Sequence, residues 1–285
     1  MQCLAPVTLY RDGGHRIGKE YRTDVVPCGK CPSCLKRRQS GWIFRLDQEM
    51  RRSSSSAFLT LTYDQKNLPW SLNGLPTLDK EHHKLFMKRL RRTIERNFSY
   101  EMGQRKIKYY SCGEYGSSTL RPHYHSIIFN LPKSYFEAPQ LLTRDWQYGN
   151  TMMSPCTPGR IGYVTKYINK TVYTDGRLHQ EDDRQKEFSL MSNGLGSNWL
   201  TPDRIKWYQD NPTAYITLPN GEKGIMPRYY RDKLYQDKHL DIIAKEVEQY
   251  LEENPMFTSY KHEVDYKTNE FNKQQISNQL NRQKL

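Results

Sequence analysis

The spacing of apolar and polar residues predicts both helices and strands along this chain. At residues 33–52, apolar side chains recur at helical intervals and basic residues fill the other positions, which predicts an amphipathic helix. Residues 58–63 are β-branched, aromatic and aliphatic, and Asp64 ends this predicted strand. Alternation predicts two more strands over residues 106–112 and 123–131, with a turn containing Gly, Ser and Pro between them.

Three further helices are predicted over residues 78–98, 159–172 and 236–252. The first has an apolar stripe with a spacing of four, formed by Phe86, Leu90, Ile94 and Phe98. Its other faces are strongly basic, which suits either contact with DNA or a solvated surface. Between the helices, residues 174–198 are charged and typical of a loop, and the Asn/Gln/Lys-rich tail from Lys267 is expected to be mobile.

These elements predict an α+β protein in three parts. Residues 1–52 form an element with a cysteine cluster and a helix, residues 53–232 form the core, and residues 233–285 form a helical, partly disordered extension. A chain of 285 residues is long enough to bury a substantial core, so one domain with appendages is expected.

Composition points to a polyanionic partner. Lys+Arg outnumber Asp+Glu by 44 to 31, giving a net charge of +13, and tyrosines outnumber phenylalanines by 21 to 9. Basic residues interleaved with stacking rings suit nucleic acid, although charge alone does not exclude a generic basic protein. The sequence has no apolar run that could span a bilayer and no secretory signal at its start, so we expect no membrane partner and a reducing bacterial cytoplasm.

A cluster of cysteines near the N-terminus indicates a metal site. Cys28, Cys31 and Cys34 follow a C-x2-C-x2-C spacing, and Cys3 is the candidate for a fourth thiolate. Four thiolates suit structural Zn²⁺. An iron–sulfur site of the bacterial ferredoxin type would need a cysteine at position 38, followed by proline, but Arg38 and Gln39 stand there. The two other cysteines, Cys112 and Cys156, are interpreted as isolated thiols.

A second candidate metal site lies in the predicted strands. His123 and His125 are two residues apart, so along a strand their side chains point to the same face. Glu114 precedes them by a loop of hairpin length, and a hairpin would return its carboxylate beside the histidines as a third ligand. Such a set leaves coordination positions open for a substrate. The alternatives are two unrelated histidines on a wet face, with Glu114 a solvated loop acid or a turn cap.

The predicted helix at 159–172 presents two different faces. Its apolar face is formed by Ile161, Val164, Ile168 and Val172. The opposite face carries Tyr163, Lys166, Tyr167 and Lys170. The simplest interpretation is tyrosines at the edge of the core with lysines extending past them. Beside a metal site, the same face could supply a nucleophile, because ammonium groups favour the phenolate of a side chain whose pKa is ordinarily near 10.

Taken in order, these motifs resemble the replication initiators of the HUH superfamily, and most of all those of gokushoviruses. The likeness covers roughly residues 26–230 and is carried by residues 27–34 (PCGKCPSC), 58–64, 112–116 leading into 121–129, and 162–170. It implies the HUH endonuclease fold, a central antiparallel sheet flanked by helices. It also implies Mg²⁺ or Mn²⁺ on Glu114, His123 and His125, with Tyr163 and Tyr167 as nucleophiles. Tyr124 stands where the superfamily has a bulky aliphatic residue, but it faces away from the metal.

The function predicted from this resemblance is rolling-circle replication. The chain would nick single-stranded viral origin DNA through a 5′-phosphotyrosine intermediate and later rejoin it. Because the sequence contains no helicase P-loop, a host helicase and polymerase are the expected protein partners. The alternatives are a plasmid relaxase or transposase of the same superfamily, and a non-catalytic, zinc-stabilised protein that binds single-stranded DNA.

Overall fold

The computed structural model describes residues 3–10, 23–97, 106–116, 119–170, 182–218, 221–253 and 265–272, with only the backbone at 10, 23–25, 167–170 and 251. The strands, in chain order, are β1 (Val7–Tyr10), β2 (Thr23–Val26), β3 (Ser56–Thr62), β4 (Lys108–Tyr115), β5 (Pro122–Phe129), β6 (Thr151–Pro155), β7 (Phe188–Met191), β8 (Tyr215–Thr217) and β9 (Lys223–Ile225). The helices are α1 (Pro32–Arg52), α2 (Lys80–Asn97), α3 (Lys133–Glu137), α4 (Leu141–Trp146), α5 (Pro158–Lys170), α6 (Pro202–Asp210), α7 (Arg228–Leu234), α8 (Asp237–Glu253) and α9 (265–272), with a short 3₁₀ turn at Ser197–Trp199.

A five-stranded antiparallel sheet lies at the centre, in the order β6-β3-β5-β4-β7. The predicted α+β class and the predicted central antiparallel sheet with flanking helices are therefore confirmed. In the central strand β5, alternate side chains enter different cores: Tyr124 and Ile128 pack on one face, and Ile127 and Phe129 on the other. Each face of the sheet is covered by helices.

The two helical layers explain why the amphipathic patterns fold as they do. On one face, α2 buries Phe86, Leu90 and Ile94, and α4 adds Trp146. On the other face, Leu46 of α1 packs in the same core as Ile161 and Val164 of α5. The predicted stripes of these helices are thus their buried faces. Phe98, the last member of the α2 stripe, lies outside the described residues, as do residues 171 and 172 at the predicted end of α5.

A third core connects α1 to the C-terminal part of the chain. Phe44 packs with Trp199, Tyr230 and further aromatic residues of α6, α7 and the β8-β9 hairpin. This C-terminal layer also includes Ile243 of α8, the helix predicted over residues 236–252. None of the described helices is both long and apolar enough to cross a membrane.

Two expectations about irregular segments were wrong where the structure describes them. Residues 174–198 were expected to be a loop, but Phe188–Met191 form the edge strand β7 and Ser197–Trp199 a 3₁₀ turn. The strand forms because the backbone of Tyr110–Gly113 pairs with it, a long-range contact that local pattern does not reveal. The tail was expected to be mobile from Lys267, but residues 265–272 are helical and pack through Tyr266 and Phe271 on the cysteine cluster.

Candidate functional site

Glu114, His123 and His125 converge on one face of the sheet. Glu114 of β4 is the register partner of His123 of β5, and His125 follows on the same face two residues later. Oε1 of Glu114 lies 2.7 Å from Nε2 of His123 and 2.9 Å from Nε2 of His125. The predicted hairpin thus brings the three side chains together, and their ligand atoms all lie within 4.8 Å of one another.

The charge of the site suits a divalent cation. Glu114 is almost fully buried, and burial alone raises the pKa of its carboxyl group. Hydrogen bonds with His123 and His125 oppose this and lower that pKa to about 2. The carboxylate is therefore ionised at neutral pH. One anionic oxygen and two imidazole nitrogens form a donor set that suits Mn²⁺ or other divalent ions and leaves coordination positions open.

Neighbouring groups hold the two histidines in orientation. Nδ1 of His123 lies 3.1 Å from the carbonyl oxygen of Arg121, which can only accept a hydrogen bond. In the neutral ring the proton therefore sits on Nδ1, and Nε2 keeps its lone pair for a metal. Nδ1 of His125 lies 3.1 Å from Oγ1 of Thr60, its register partner on β3. The ring of Phe58 stacks on that of His125 with centroids 5.4 Å apart.

Sequence reasoning missed Thr60 and Phe58 as part of this site. A signal existed, because Thr60 and Thr62 alternate along the predicted strand 58–63 and so share a face. What the pattern did not reveal is that β3 pairs with β5 in the register that places Thr60 opposite His125.

Tyr163 of α5 stands over the histidines. Its hydroxyl lies 3.5 Å from Nε2 of His125, and its ring meets that of His125 edge-on with centroids 5.2 Å apart. The ammonium of Lys166 lies 5.0 Å from the centroid of the Tyr163 ring. Because the apolar face of α5 is fixed in the core, the opposite face carries this hydroxyl towards the candidate metal ligands. Tyr167 and Lys170 belong to the backbone of α5, but their side chains lie outside the described part.

The four predicted thiol ligands also come together. The sulfurs of Cys3, Cys28, Cys31 and Cys34 lie within 4.8 Å of one another, and those of Cys3 and Cys31 are 3.9 Å apart. Backbone N–H groups point at them, as Cys28 N donates to Cys3 Sγ at 3.3 Å and Leu4 N to Cys31 Sγ at 3.4 Å. Such donors stabilise thiolates.

The environment of Cys28 shows the same balance of effects. Burial raises the pKa of the Cys28 thiol, but the N–H groups of Lys30 and Cys31 outweigh it and lower that pKa to about 7. Cys112 and Cys156 lie elsewhere: Cys112 is buried in the sheet core and Cys156 is half-buried at the start of α5. A tetrahedral set of four thiolates is thus available at the N-terminal end of α1.

Comparison with known proteins agrees with these motifs. A family of replication-associated proteins of the ORF2 type matches residues 56–172, a range that contains the Glu/His cluster and Tyr163. Replication-associated protein VP4 of Bdellovibrio phage phiMH2K is 30% identical over 268 residues, covering 86% of this chain and 82% of the relative. Replication-associated protein ORF4 of Chlamydia phage 1 is 30% identical over 244 residues, or 80% of this chain and 57% of the relative.

Two more similarities complete the comparison. Replication-associated protein ORF2 of Spiroplasma virus 4 is 28% identical over 246 residues, or 79% of this chain and 73% of the relative. The N-terminal nuclease domain of minute virus of mice non-structural protein 1 is 13% identical and covers 76% of this chain and 79% of that one, but its TM-score of 0.18 supports no comparison of folds. On the strength of its phage relatives, this chain belongs to the replication-associated proteins of gokushovirus-type phages.

Proposed function

We propose that this protein initiates rolling-circle replication by nicking single-stranded origin DNA with Tyr163. The observation that carries the proposal is the 3.5 Å between the Tyr163 hydroxyl and Nε2 of His125, which belongs to a three-ligand cluster. A nucleophile beside a cation site is the arrangement that cleavage of a phosphodiester requires. The phage relatives support replication as the purpose of the nick, rather than plasmid transfer or transposition.

Glu114, His123 and His125 would hold the catalytic ion. Nitrogen ligands favour Mn²⁺ over Mg²⁺ in this set, and the carboxylate accommodates either. When bound, the ion would polarise and orient the scissile phosphate. The partners of the outer nitrogens, Thr60 Oγ1 and the carbonyl of Arg121, would keep both Nε2 atoms directed at it.

In the chemical step, Oη of Tyr163 attacks the phosphorus and the bond from phosphorus to the 3′ oxygen breaks. The 3′ oxygen leaves with the bonding electron pair and takes up a proton, and the phenolic proton is lost to solvent. The products are a 5′-phosphotyrosine and a free 3′-hydroxyl, so the energy of the bond is kept for rejoining. Lys166, with its ammonium 5.0 Å from the centroid of the Tyr163 ring, favours the phenolate and the phosphate charge.

Tyr167 and Lys170 would supply a second turn of the same chemistry. They follow Tyr163 and Lys166 by four residues in α5, a rise of about 6 Å along the helix. Two tyrosines within reach of one phosphate suit rolling-circle replication. One would hold the first 5′ end while the other cleaves the regenerated origin, and the free 3′-hydroxyl would then close the circle.

The cysteine cluster is proposed to bind one structural Zn²⁺. Four sulfurs within 4.8 Å and the N–H groups that point at them support this ion. The cluster joins residue 3, the start of α1 and helix α9, segments that are far apart in the chain. Because α1 packs against α5, the zinc would also steady the helix that carries Tyr163.

The experiment that tests this function uses labelled single-stranded origin DNA. The purified protein, incubated with Mn²⁺ or Mg²⁺, should yield a denaturation-resistant protein–DNA adduct and a fragment with a 3′-hydroxyl. EDTA should abolish both products. DNA binding without any adduct in either metal would instead support a non-catalytic single-strand-binding protein. Replication in the host would further need a host helicase and polymerase, which we propose as partners.

A further inference from the structure

A cavity of about 300 Å³ lies where the last turns of α1 meet the C-terminal layer. It is lined by Gln48, Arg51 and Arg52 of α1, Asn198 and Trp199 of the 3₁₀ turn, and Arg204 of α6, with three further residues. This end of α1 is far from the Glu/His cluster. Glu49 of α1 pairs with Lys108 at the start of β4 (2.9 Å), and Glu114 lies six residues further along that strand, about 20 Å away.

The described residues that line the cavity include three arginines and no acid. Arg204 is held in place, because its NH1 group donates to the carbonyl of Trp199 at 2.9 Å and its guanidinium lies 5.2 Å from the centroid of the Trp199 ring. Arg51 pairs with Asp47 but keeps 54% of its side chain exposed. Guanidinium groups recognise phosphate through paired N–H donors, so the cavity suits a phosphate-bearing ligand.

A second feature of the cavity calls for a hydrogen-bond donor. The Nδ2 group of Asn198 donates to the carbonyl of Gln48 at 2.9 Å, which fixes the orientation of the amide. Its Oδ1 atom is buried and accepts no hydrogen bond from the described part of the protein. A buried acceptor of this kind is ordinarily satisfied by a donor. Phosphate carries no suitable donor at neutral pH, whereas a nucleobase carries amino or ring N–H groups.

We infer that this cavity binds one nucleotide of a DNA strand, its phosphate on the arginines and its base donating to Oδ1 of Asn198. The inference rests on the proposed function for its DNA. It adds a second contact with the strand, about 20 Å from the nick, at the junction between the sheet core and the C-terminal layer. Such a contact would let the protein hold origin DNA at a distance from the cleaved phosphate and in a fixed register.

The first test measures DNA binding without cleavage. In EDTA, with the full chain carrying Tyr163→Phe, the affinity for a fluorescent single-stranded origin oligonucleotide is compared between two double variants. Arg51→Gln/Arg52→Gln alters the cavity. Arg228→Gln/Arg231→Gln on α7 is the matched control, since it removes the same charge from exposed arginines that also have an acidic neighbour, Asp232.

The cavity variant should bind at least tenfold more weakly, and its binding should depend less steeply on salt, with a slope smaller by about 1 to 2. The control should lose less than threefold. Equal losses in the two variants would overturn the inference. The proposed function is tested separately, because the cavity variant that keeps Tyr163 should still nick an oligonucleotide trimmed to the residues around the scissile phosphate.

The second test identifies the ligand, with inorganic phosphate and the four deoxynucleoside monophosphates as competitors of the oligonucleotide. At least one nucleotide should compete better than phosphate, and Asn198→Ala should remove that advantage while thermal unfolding confirms that the variant is folded. Equal competition by phosphate and all nucleotides would overturn the base contact. A free nucleotide that binds the cavity tightly without displacing the oligonucleotide would overturn the assignment to a DNA strand.

Discussion

The hydroxyl of Tyr163 lies 3.5 Å from Nε2 of His125, although 38 residues separate the two in sequence. The contact exists because α5 crosses the sheet face on which β5 displays its histidines. Ile161 and Val164 fix the helix from below, and Phe58 supports the His125 ring from the side. A tyrosine nucleophile and a candidate metal ligand thus share one small volume, and the predictions below follow from this relationship.

Removing a ligand of the Glu/His cluster should abolish nicking. His125→Ala or Glu114→Ala is expected to lower the rate of adduct formation by more than about 100-fold, because loss of a ligand should exceed the cost of losing a group behind it. Binding of single-stranded DNA in EDTA should change little. His82→Ala, on α2 across the sheet, is the matched control and should keep most of the activity. Undiminished nicking by His125→Ala would remove the metal assignment.

The hydroxyl of Thr60 should tune the same site indirectly. Thr60→Val removes the partner of His125 Nδ1, and we expect the Mn²⁺ concentration for half-maximal nicking to rise by about 10- to 100-fold. Thr60→Ser restores the hydroxyl and should restore the metal dependence. A Thr60→Val protein with the wild-type metal titration would show that the hydroxyl does not position His125.

Much of this site could be predicted from sequence, because strand periodicity alone places His123 and His125 on one face. The helical spacing likewise identified the face of α5 that carries Tyr163. The role of Thr60 could not be predicted, since it depends on strand register, which long-range pairing sets. The edge strands β6 and β7 were missed for the same reason: each is short, half-buried and defined by its partner strand.

The C-terminal layer was beyond sequence reasoning for a different reason. Its core is built largely from tyrosine and tryptophan, including Trp199, Tyr208 and Tyr230, rather than from the aliphatic residues that mark a core in sequence. The hydroxyls find specific acceptors, as Tyr230 donates to the carbonyl of Gly196 at 2.8 Å. Such partners become visible only when distant segments are brought together.

The cysteine cluster should bind one zinc per chain. Cys31→Ser is expected to lose the metal in elemental analysis and to lower the melting temperature by at least about 5 °C, because the ion ties α1 to α9 and the N-terminal segment. Cys156→Ser, which changes a half-buried thiol outside the cluster, should retain both zinc and stability. Zinc-free wild-type protein of full stability, or the visible absorption of an iron–sulfur cluster, would contradict this assignment.

Burial of His83 should make the fold sensitive to acid. Complete burial lowers the pKa of this imidazole to about 3, so the folded protein keeps it neutral. Below pH 6.5 the unfolded chain gains a proton that the folded chain does not, and stability falls as pH falls, by up to about 1.4 kcal/mol per unit. His83→Gln, which can still bond to Ser126, should reduce the loss of unfolding free energy between pH 7 and pH 5 in urea titrations. Equal losses in the two proteins would show that His83 is not responsible.

The central claim, that Tyr163 is a nucleophile, is tested most directly by locating the DNA in the covalent adduct. Trypsin cuts after Arg160, Lys166 and Lys170, so residues 161–166 carry Tyr163 and residues 167–170 carry Tyr167 in separate peptides. After one round of cleavage in Mn²⁺ and nuclease trimming, mass spectrometry should find the nucleotide on the peptide 161–166. In Tyr163→Phe any remaining adduct should move to the peptide 167–170. A nucleotide found on neither peptide, or an adduct wholly on 167–170 in the wild-type protein, would contradict the account.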